Sequence, residues 1–196
     1  MNEEIEYRIK RVQAGEIQDY AYIVKEHQRQ IFVYCWRLLG SEQEAEEAVQ
    51  DIFVNAFEKI NMYKPTAGFS FWLYKMAYRH CLNLIRRRNL QRKFRTILYT
   101  STNTISDSAA QVMERQLFSE PLSRALDQLN AEERNLLVLR IFEEKSFGEI
   151  GEIMNKSEGA IKKKYGRTKT KLKKIMEPIE EEQKCVNYKT ELKNKA

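Results

Sequence analysis

The stretch EIGEIMNKSEGAIKKKYGR, residues 149–167, reads as two short helices joined by a tight turn. Helices joined by so short a turn must cross closely, and Gly151 supplies the small residue at the crossing, although a glycine inside a helix costs about 1 kcal/mol relative to alanine. Asn155 tolerates the left-handed backbone that such a turn needs. Ser157 is placed to cap the second helix. We expect the core between the two helices to hold Ile150, Met154 and Ile161.

The second helix of this helix-turn-helix carries many cations and one acid, Glu158. Its basic residues are Lys162, Lys163, Lys164, Arg167, Lys169, Lys171, Lys173 and Lys174. A solvated surface helix usually mixes both signs of charge, so this pattern favours a polyanion, with DNA ahead of a plain solvated face, a membrane surface or RNA. In a helix-turn-helix the second helix enters the major groove, where its early residues reach base edges and its flanks touch phosphates.

The composition agrees with an intracellular helical protein. The chain has 196 residues, 42% hydrophobic and 32% charged, with few Gly and Pro and a net charge of +6. That length suits one medium domain or two small ones. The first residues lack the apolar core of a signal peptide, and no apolar run approaches the roughly 20 residues that cross a bilayer. The three cysteines are far apart and read as reduced thiols, with no ligand cluster for a metal and no sign of a cofactor. We therefore expect a cytoplasmic protein without stable membrane insertion.

Helical signals divide the chain into two small domains, an all-α arrangement. Gly40 ends one helix and Ser41, with Glu44 three residues later, opens an acidic one as a capping box. A loop at 61–68 precedes a long helix over 69–95. The predicted domain limits are residues 1–95, a flexible linker over 96–116, residues 117–178 with the helix-turn-helix, and a polar tail over 179–196. The last helix is expected to end before Pro178.

The long helix, FSFWLYKMAYRHCLNLIRRR over 69–88, is aromatic in its first half and basic in its second. The positions expected in the core are Trp72, Leu73, Met76 and Ala77. Phe69, Phe71, Tyr74 and Tyr78 cannot all share that face, so some of them should be partly exposed beside cations. Exposed aromatic rings suit stacking on unpaired bases, worth about 1–3 kcal/mol per base.

Three segments resemble the extracytoplasmic-function (ECF) sigma factors, a compact branch of the sigma-70 family. AEEAVQDIFVNAF at 45–57 resembles the family segment that docks on the β′ clamp helices of RNA polymerase. FSFWLYKMAYRHCLNLIRRR resembles the segment that melts and reads the −10 element. The segment from LDQLN to TKTKL, at 126–172, resembles the domain that reads the −35 element. The match covers most of residues 15–176 in order.

The resemblance implies both partners and site residues. The partners are core RNA polymerase, through its β′ clamp helices and β flap, promoter DNA, and an anti-sigma factor. The polymerase-docking residues would be Glu46, Glu47, Gln50, Asp51, Phe53 and Val54. The −10 residues would be Phe69, Tyr74, Tyr78, Arg79, Asn83, Arg86, Arg87 and Arg88. The −35 residues would be Ser157, Lys162, Lys163, Lys164, Gly166 and Arg167.

Other functions remain open on the residues alone. A helix-turn-helix repressor or activator that acts without binding polymerase core would carry the same DNA-reading motif. A helical RNA-binding protein could use the arginine run. An enzyme is the least favoured class, because the chain shows no nucleophile–base–acid set, metal cluster or phosphate-cradling glycine loop.

Overall fold

The computed structural model describes residues 3–65, 68–98, 118 and 120–194, and the side chains of 3–65, 68–91, 118 and 121–178. Every regular element in these ranges is helical, as the sequence predicts. The helices are α1 (Glu3–Gln13), α2 (Asp19–Leu39), α3 (Glu42–Glu58), a 3₁₀ turn (Ile60–Met62), α4 (Phe69–Leu98), α5 (Glu120–Asp127), α6 (Ala131–Leu137), a π-helical turn (Val138–Phe142), α7 (Phe147–Met154) and α8 (Glu158–Asn194).

The N-terminal bundle, α1–α4, packs around α2. Gly40 ends α2 with a left-handed backbone, φ 73°, and its N–H bonds Trp36 O. Ser41 accepts the Glu44 N–H at 3.3 Å, as a cap should. The Glu44 carboxylate instead accepts a bond from Arg88 Nη1 at 3.1 Å, and so ties α3 to α4. The predicted start of α3 at Ser41 is confirmed. Glu44, the acid of the predicted capping box, contributes instead to the packing of α3 against α4.

The C-terminal bundle, α5–α8, begins two of its helices with complete capping boxes. Asn130 and Glu133 bond reciprocally at the start of α6, and Ser146 and Glu149 do so at the start of α7. Between these helices the apolar LLVLRIF run is not one regular helix. Its second part, from Val138, forms the π-helical turn. Glu144, two residues after that turn, has a φ of +52°.

The crossing of α7 and α8 confirms the interpretation of residues 149–167. A Cβ on Gly151 would lie 2.6 Å from the carbonyl oxygen of Lys156, and the N–H of Lys156 bonds Gly151 O at 2.7 Å. Asn155 has φ 56°, and Ser157 Oγ accepts the Ala160 N–H at 3.3 Å. The residues buried between the helices include Ile150, Met154 and Ile161.

Two predicted helix ends are wrong. Helix α4 continues to Leu98, into the start of the expected linker, and the linker residues 99–116 lie outside the described part of the chain. Helix α8 passes through Pro178 and continues to Asn194. A proline removes one backbone donor from a helix, but EEEQK, which follows at 180–184, consists of strong helix formers.

The two bundles pack against each other. Helix α4 contacts α7, and α2 contacts α6 and the π-helical turn. One hydrophobic cluster contains Tyr74 and Tyr78 of α4 together with Leu136, Ile150 and Ile153 of the C-terminal bundle. A domain this small cannot bury all its apolar side chains alone, so part of the face of α6 and α7 is covered by the N-terminal bundle.

Two alanine substitutions should change stability in opposite directions. Gly151→Ala places a methyl group against a backbone carbonyl and should lower the free energy of unfolding by roughly 1–3 kcal/mol. Gly166→Ala puts its Cβ where no atom lies within 4 Å. The better helix propensity of alanine should therefore raise the free energy of unfolding by up to about 1 kcal/mol. Urea unfolding followed by circular dichroism measures both. Equal effects of the two variants would contradict the crossing at Gly151.

Candidate nucleic-acid and partner interfaces

The outer face of α8 presents most of the predicted −35 residues. Ile161 and Thr168 bury the opposite face of the helix. The exposed members of the predicted set are Ser157, Lys162, Lys163, Gly166 and Arg167, and Lys164 is half-buried. The cap at Ser157 and the close crossing at Gly151 therefore aim a row of cations away from the core.

Lys156 of the turn and two lysines of α8 are paired with acids that come from α6. Glu132 accepts hydrogen bonds from Lys156, at 2.8 Å, and from Lys164. Glu133 accepts one from Lys171 at 2.8 Å. The sequence of α8 does not reveal the acids that pair with Lys164 and Lys171, because these acids lie on a neighbouring helix.

The pKa of Glu132 is lowered to about 2, first by the hydrogen bond from Lys156 and then by that from Lys164. A carboxyl group whose pKa is lower in the folded than in the unfolded state stabilises the fold above its unfolded pKa. That contribution is lost as the pH falls from about 4.5 toward 2. At neutral pH these ion pairs are fully formed and hold Lys156 and Lys164 in place.

Two cations of the predicted −35 set remain available to an external anion. Lys162 pairs with Glu158 at 2.6 Å, an exposed bond within one helix. Lys163 and Arg167, both exposed, form no ion pair among the described residues. Exposed cations without a protein partner are suited to phosphate oxygens or to base edges.

The basic end of α4 is exposed at all but one predicted position. Arg79, Asn83, Arg86 and Arg87 are exposed. Arg88 is half-buried and donates from Nη1 to Leu39 O at 3.2 Å and to Glu44 at 3.1 Å. Arg88 therefore links α4 to α2 and α3, while the other residues face outward.

The aromatic residues predicted for −10 capture are buried in this conformation. Phe69 is 2% exposed and lies against Tyr63 and Trp72, with ring centroids 5.3 and 5.4 Å away. Tyr74 and Tyr78 lie between the two bundles, 0% and 6% exposed. Burial raises the pKa of Tyr78 to about 12.

The expected division of the other α4 residues is only partly confirmed. Leu73 and Ala77 are buried, as predicted, while Trp72 and Met76 are half-buried. Some of the four residues Phe69, Phe71, Tyr74 and Tyr78 were expected to be partly exposed. Only Phe71 is half-buried, and the other three are buried.

Helix α3 presents an acidic and apolar face, here called the α3 face. Its members, all exposed, are Glu46, Glu47, Gln50, Asp51, Val54 and Phe57. Phe53 does not belong to it, because it is 5% exposed and packs in the core of the N-terminal bundle. The contact of Phe53 with polymerase stays a prediction. The sequence missed Phe57, although it follows Val54 by three residues and so shares its side of the helix.

The seam between the bundles contains polar contacts that the sequence did not indicate. Tyr34 Oη donates to Asn135 Oδ1 at 2.6 Å. Glu143 accepts hydrogen bonds from Arg37, at 3.1 Å, and from the Tyr74 hydroxyl. Residues 34–37 and 135–143 are far apart in the chain, so no local pattern reveals the pairs.

Neither a metal centre nor a membrane span is found in the described residues. No three or more of their His, Cys, Asp and Glu side chains are grouped to hold an ion. None of their helices combines the length and the apolarity needed to cross a bilayer.

Comparisons with known proteins match both halves of the chain. The model of Sigma-70 region 2 matches residues 23–91, and that of Sigma-70, region 4 matches 125–174. The ECF RNA polymerase sigma factor SigW of Bacillus subtilis is 29% identical over 190 residues, which cover 89% of this chain and 98% of SigW. The RNA polymerase sigma factor YlaC of the same organism is 28% identical over 164 residues, covering 83% of this chain and 94% of YlaC.

Two solved structures have a similar fold. CnrH, in complex with the cytosolic domain of CnrY, has a TM-score of 0.66 at 19% identity, covering 89% of this chain and 98% of CnrH. The sigma factor RpoE, in complex with the anti-sigma factor NepR from Bartonella quintana, has a TM-score of 0.63 at 17% identity, covering 81% of this chain and 97% of RpoE.

The matched regions occur in the order that the sequence motifs indicate. Region 2 contains the α3 face and the aromatic-basic part of α4, and region 4 contains the helix-turn-helix of α7 and α8. The chain belongs to the sigma-70 family as an ECF sigma factor, a DNA-binding protein that directs promoter-specific transcription initiation by RNA polymerase and is not an enzyme.

Proposed function

We propose that this sigma factor uses three separate surfaces during initiation. The α3 face docks on the β′ clamp helices of core polymerase, the outer face of α8 reads the −35 element, and α4 captures the melted −10 strand. Region 4 also contacts the β flap. The observation that carries the −35 assignment is the pair Lys163 and Arg167, exposed on the second helix of a helix-turn-helix and without an ion pair in the described residues.

The α3 face has the composition of a docking surface. Its acids Glu46, Glu47 and Asp51 lie on the same helix as two exposed apolar side chains, of which Val54 is 59% and Phe57 39% exposed. Acidic groups around an apolar patch suit a basic partner, because opposite charge speeds the encounter and apolar burial provides affinity.

DNA opening by this chain would need no hydrolysis. A surface that binds the single strand better than the duplex shifts the melting equilibrium by that difference in affinity. Arg79, Asn83, Arg86 and Arg87, exposed along α4, are placed to hold the backbone of the strand. Tyr74 and Tyr78 would join them only after the C-terminal bundle leaves α4, because both rings are buried beneath it.

We also assign domain limits, partners and location on this basis. Region 2 occupies residues 1–95, followed by a linker at 96–116, region 4 at 117–178 and a tail at 179–196. An anti-sigma factor is expected to control the chain. Of the two proteins of similar fold, RpoE was solved in complex with the anti-sigma factor NepR, and CnrH in complex with the cytosolic domain of CnrY. The working location is the bacterial cytoplasm, where core polymerase and promoter DNA are present.

Reconstitution with core polymerase tests the proposed function directly. The purified chain should co-purify with the core and confer run-off transcription from members of a promoter library that share −35 and −10 elements. A chain that binds duplex DNA but leaves the core without new start sites would contradict the proposal.

Lys163→Glu should separate DNA reading from polymerase binding. Reversing an exposed cation at the DNA surface should lower −35-dependent initiation by at least about tenfold, since such contacts are worth roughly 1–3 kcal/mol. Affinity for core polymerase should stay unchanged. Lys25→Glu, an exposed reversal on α2, is the matched control. Equal losses in the two variants, or a loss of core binding by Lys163→Glu, would count against the assignment of α8.

Reversing two acids of the α3 face should have the complementary effect. Glu46→Lys with Asp51→Lys should weaken core binding by at least about tenfold, because like charges would then face the basic partner. The affinity of the free chain for −35 duplex DNA should not fall. Fluorescence anisotropy with labelled protein measures both constants, and a double variant at exposed Glu3 and Glu26 controls for net charge. Unchanged core affinity would place the docking face elsewhere.

A further inference from the structure

The seam between the bundles is held by a nearly buried carboxylate. The side chain of Glu143, just after the π-helical turn, is 6% exposed. It accepts a hydrogen bond from Arg37 of α2 at 3.1 Å and another from the Tyr74 hydroxyl of α4. Both donors belong to the N-terminal bundle, so this one carboxylate bonds to two helices of the opposite domain.

Neighbouring contacts add to this attachment. Phe142 lies under the Arg37 guanidinium, which is 4.6 Å from its ring centroid. Arg134 donates from Nε to the backbone oxygen of Arg37 at 3.0 Å. Lys145 approaches the face of Tyr74, with Nζ 4.9 Å from the centroid. Hydrogen bonds that involve a charged group are stronger than neutral ones, particularly where water is largely excluded.

A second polar pair across the seam is fully buried. Tyr34 and Asn135 are both 0% exposed, and the Tyr34 hydroxyl donates to Asn135 Oδ1 at 2.6 Å. A polar side chain inside an apolar interface costs free energy unless it finds its partner. This pair therefore favours one way of packing the bundles over looser hydrophobic contacts.

The backbone around Glu143 has a special shape. The Glu143 N–H bonds Val138 O at 3.1 Å, closing the widened π-helical turn, and Glu144 follows with φ +52°. Side chains other than glycine seldom adopt that φ, and π-helical turns are uncommon. A regular α-helix through this segment would place residue 143 differently relative to α6.

The closed seam covers some surfaces and leaves others free. It buries Tyr74 and Tyr78 of α4, at 0% and 6% exposure. It leaves Val54 on the α3 face exposed, as well as Lys163 and Arg167 on α8. Closure therefore does not obstruct the α3 face or the cations of the recognition helix, while it removes two aromatic rings from solvent.

We propose that Glu143 is an intramolecular latch that keeps the free chain closed and the Tyr74 and Tyr78 rings of α4 covered. The chain can meet polymerase through the α3 face while closed, and Tyr74 and Tyr78 become available only when Glu143 separates from Arg37 and Tyr74. The consequence for −10 capture rests on the proposed function, whereas the latch itself is a property of the free chain. The apparent affinity for the −10 strand would equal the intrinsic affinity multiplied by the open fraction of molecules.

The test compares Glu143→Gln with Glu144→Gln in the full chain, free of polymerase and DNA. Glu143→Gln retains the shape of the side chain and removes the charge that Arg37 faces, whereas Glu144 is exposed and serves as the matched control. Glu143→Gln should increase the open fraction by about tenfold or more, the range expected for losing a charged hydrogen bond. The readouts are amide hydrogen exchange over residues 74–78 and 147–154, and the radius of gyration from X-ray scattering.

A second variant guards against a folding defect. Tyr34→Phe removes the hydroxyl that reaches Asn135 and keeps the ring, and Tyr63→Phe is its control because the Tyr63 hydroxyl bonds Glu6 within the N-terminal bundle. Tyr34→Phe should also speed exchange across the seam, with unchanged helical content by circular dichroism.

The outcomes are distinct. Faster exchange and expansion in Glu143→Gln and Tyr34→Phe, but not in their controls, support the latch. An extended wild-type chain overturns it, as does a Glu143→Gln variant that exchanges and scatters like Glu144→Gln. Loss of the proposed function would appear separately, as failure to bind core polymerase by a chain whose opening still depends on Glu143.

Discussion

The bonds from Arg37 and Tyr74 to Glu143 determine which surfaces of this sigma factor meet solvent. They join regions that family comparison treats as separate units, region 2 and region 4. The seam also contains apolar contacts, but apolar contacts are not directional. The carboxylate, together with the Tyr34–Asn135 pair, selects one arrangement. In that arrangement Tyr74 and Tyr78 of α4 lie inside the molecule.

In the C-terminal bundle, contacts between helices likewise determine which lysines are paired with acids and which are free to bind an external anion. Glu132 and Glu133 of α6 form ion pairs with Lys156 of the turn and with Lys164 and Lys171 of α8, so these pairs hold the helix-turn-helix against α6. Lys163 and Arg167 are left for an external anion. A count of lysines along α8 overstates the charge that DNA would meet, and the position of each lysine relative to α6 determines which of them contribute.

Local chemistry made much of the fold predictable. The caps at Ser41, Asn130 and Ser146, the left-handed Asn155 and the close crossing at Gly151 each depend on residues a few positions apart, and the structure contains all of them.

The features that the sequence did not predict are of two kinds. Some depend on contacts between residues far apart in the chain, and others on backbone conformations that no residue type marks. The burial of Phe53 and of the α4 tyrosines follows from which helices cover them. The π-helical turn interrupts an apolar run that reads as regular helix, and α8 passes through Pro178 because the residues that follow favour helix. The −10 and −35 assignments come from the resemblance to the family, and the structure adds which of those residues are accessible.

The distance between the two bundles tests this account most directly. Single-molecule energy transfer between a label on α3 and one on α7 reports it in the free chain and in the complex with core polymerase and promoter DNA. The account predicts high transfer in the free chain and low transfer in the promoter complex. Low transfer in the free chain, or the same high transfer in both states, would contradict it.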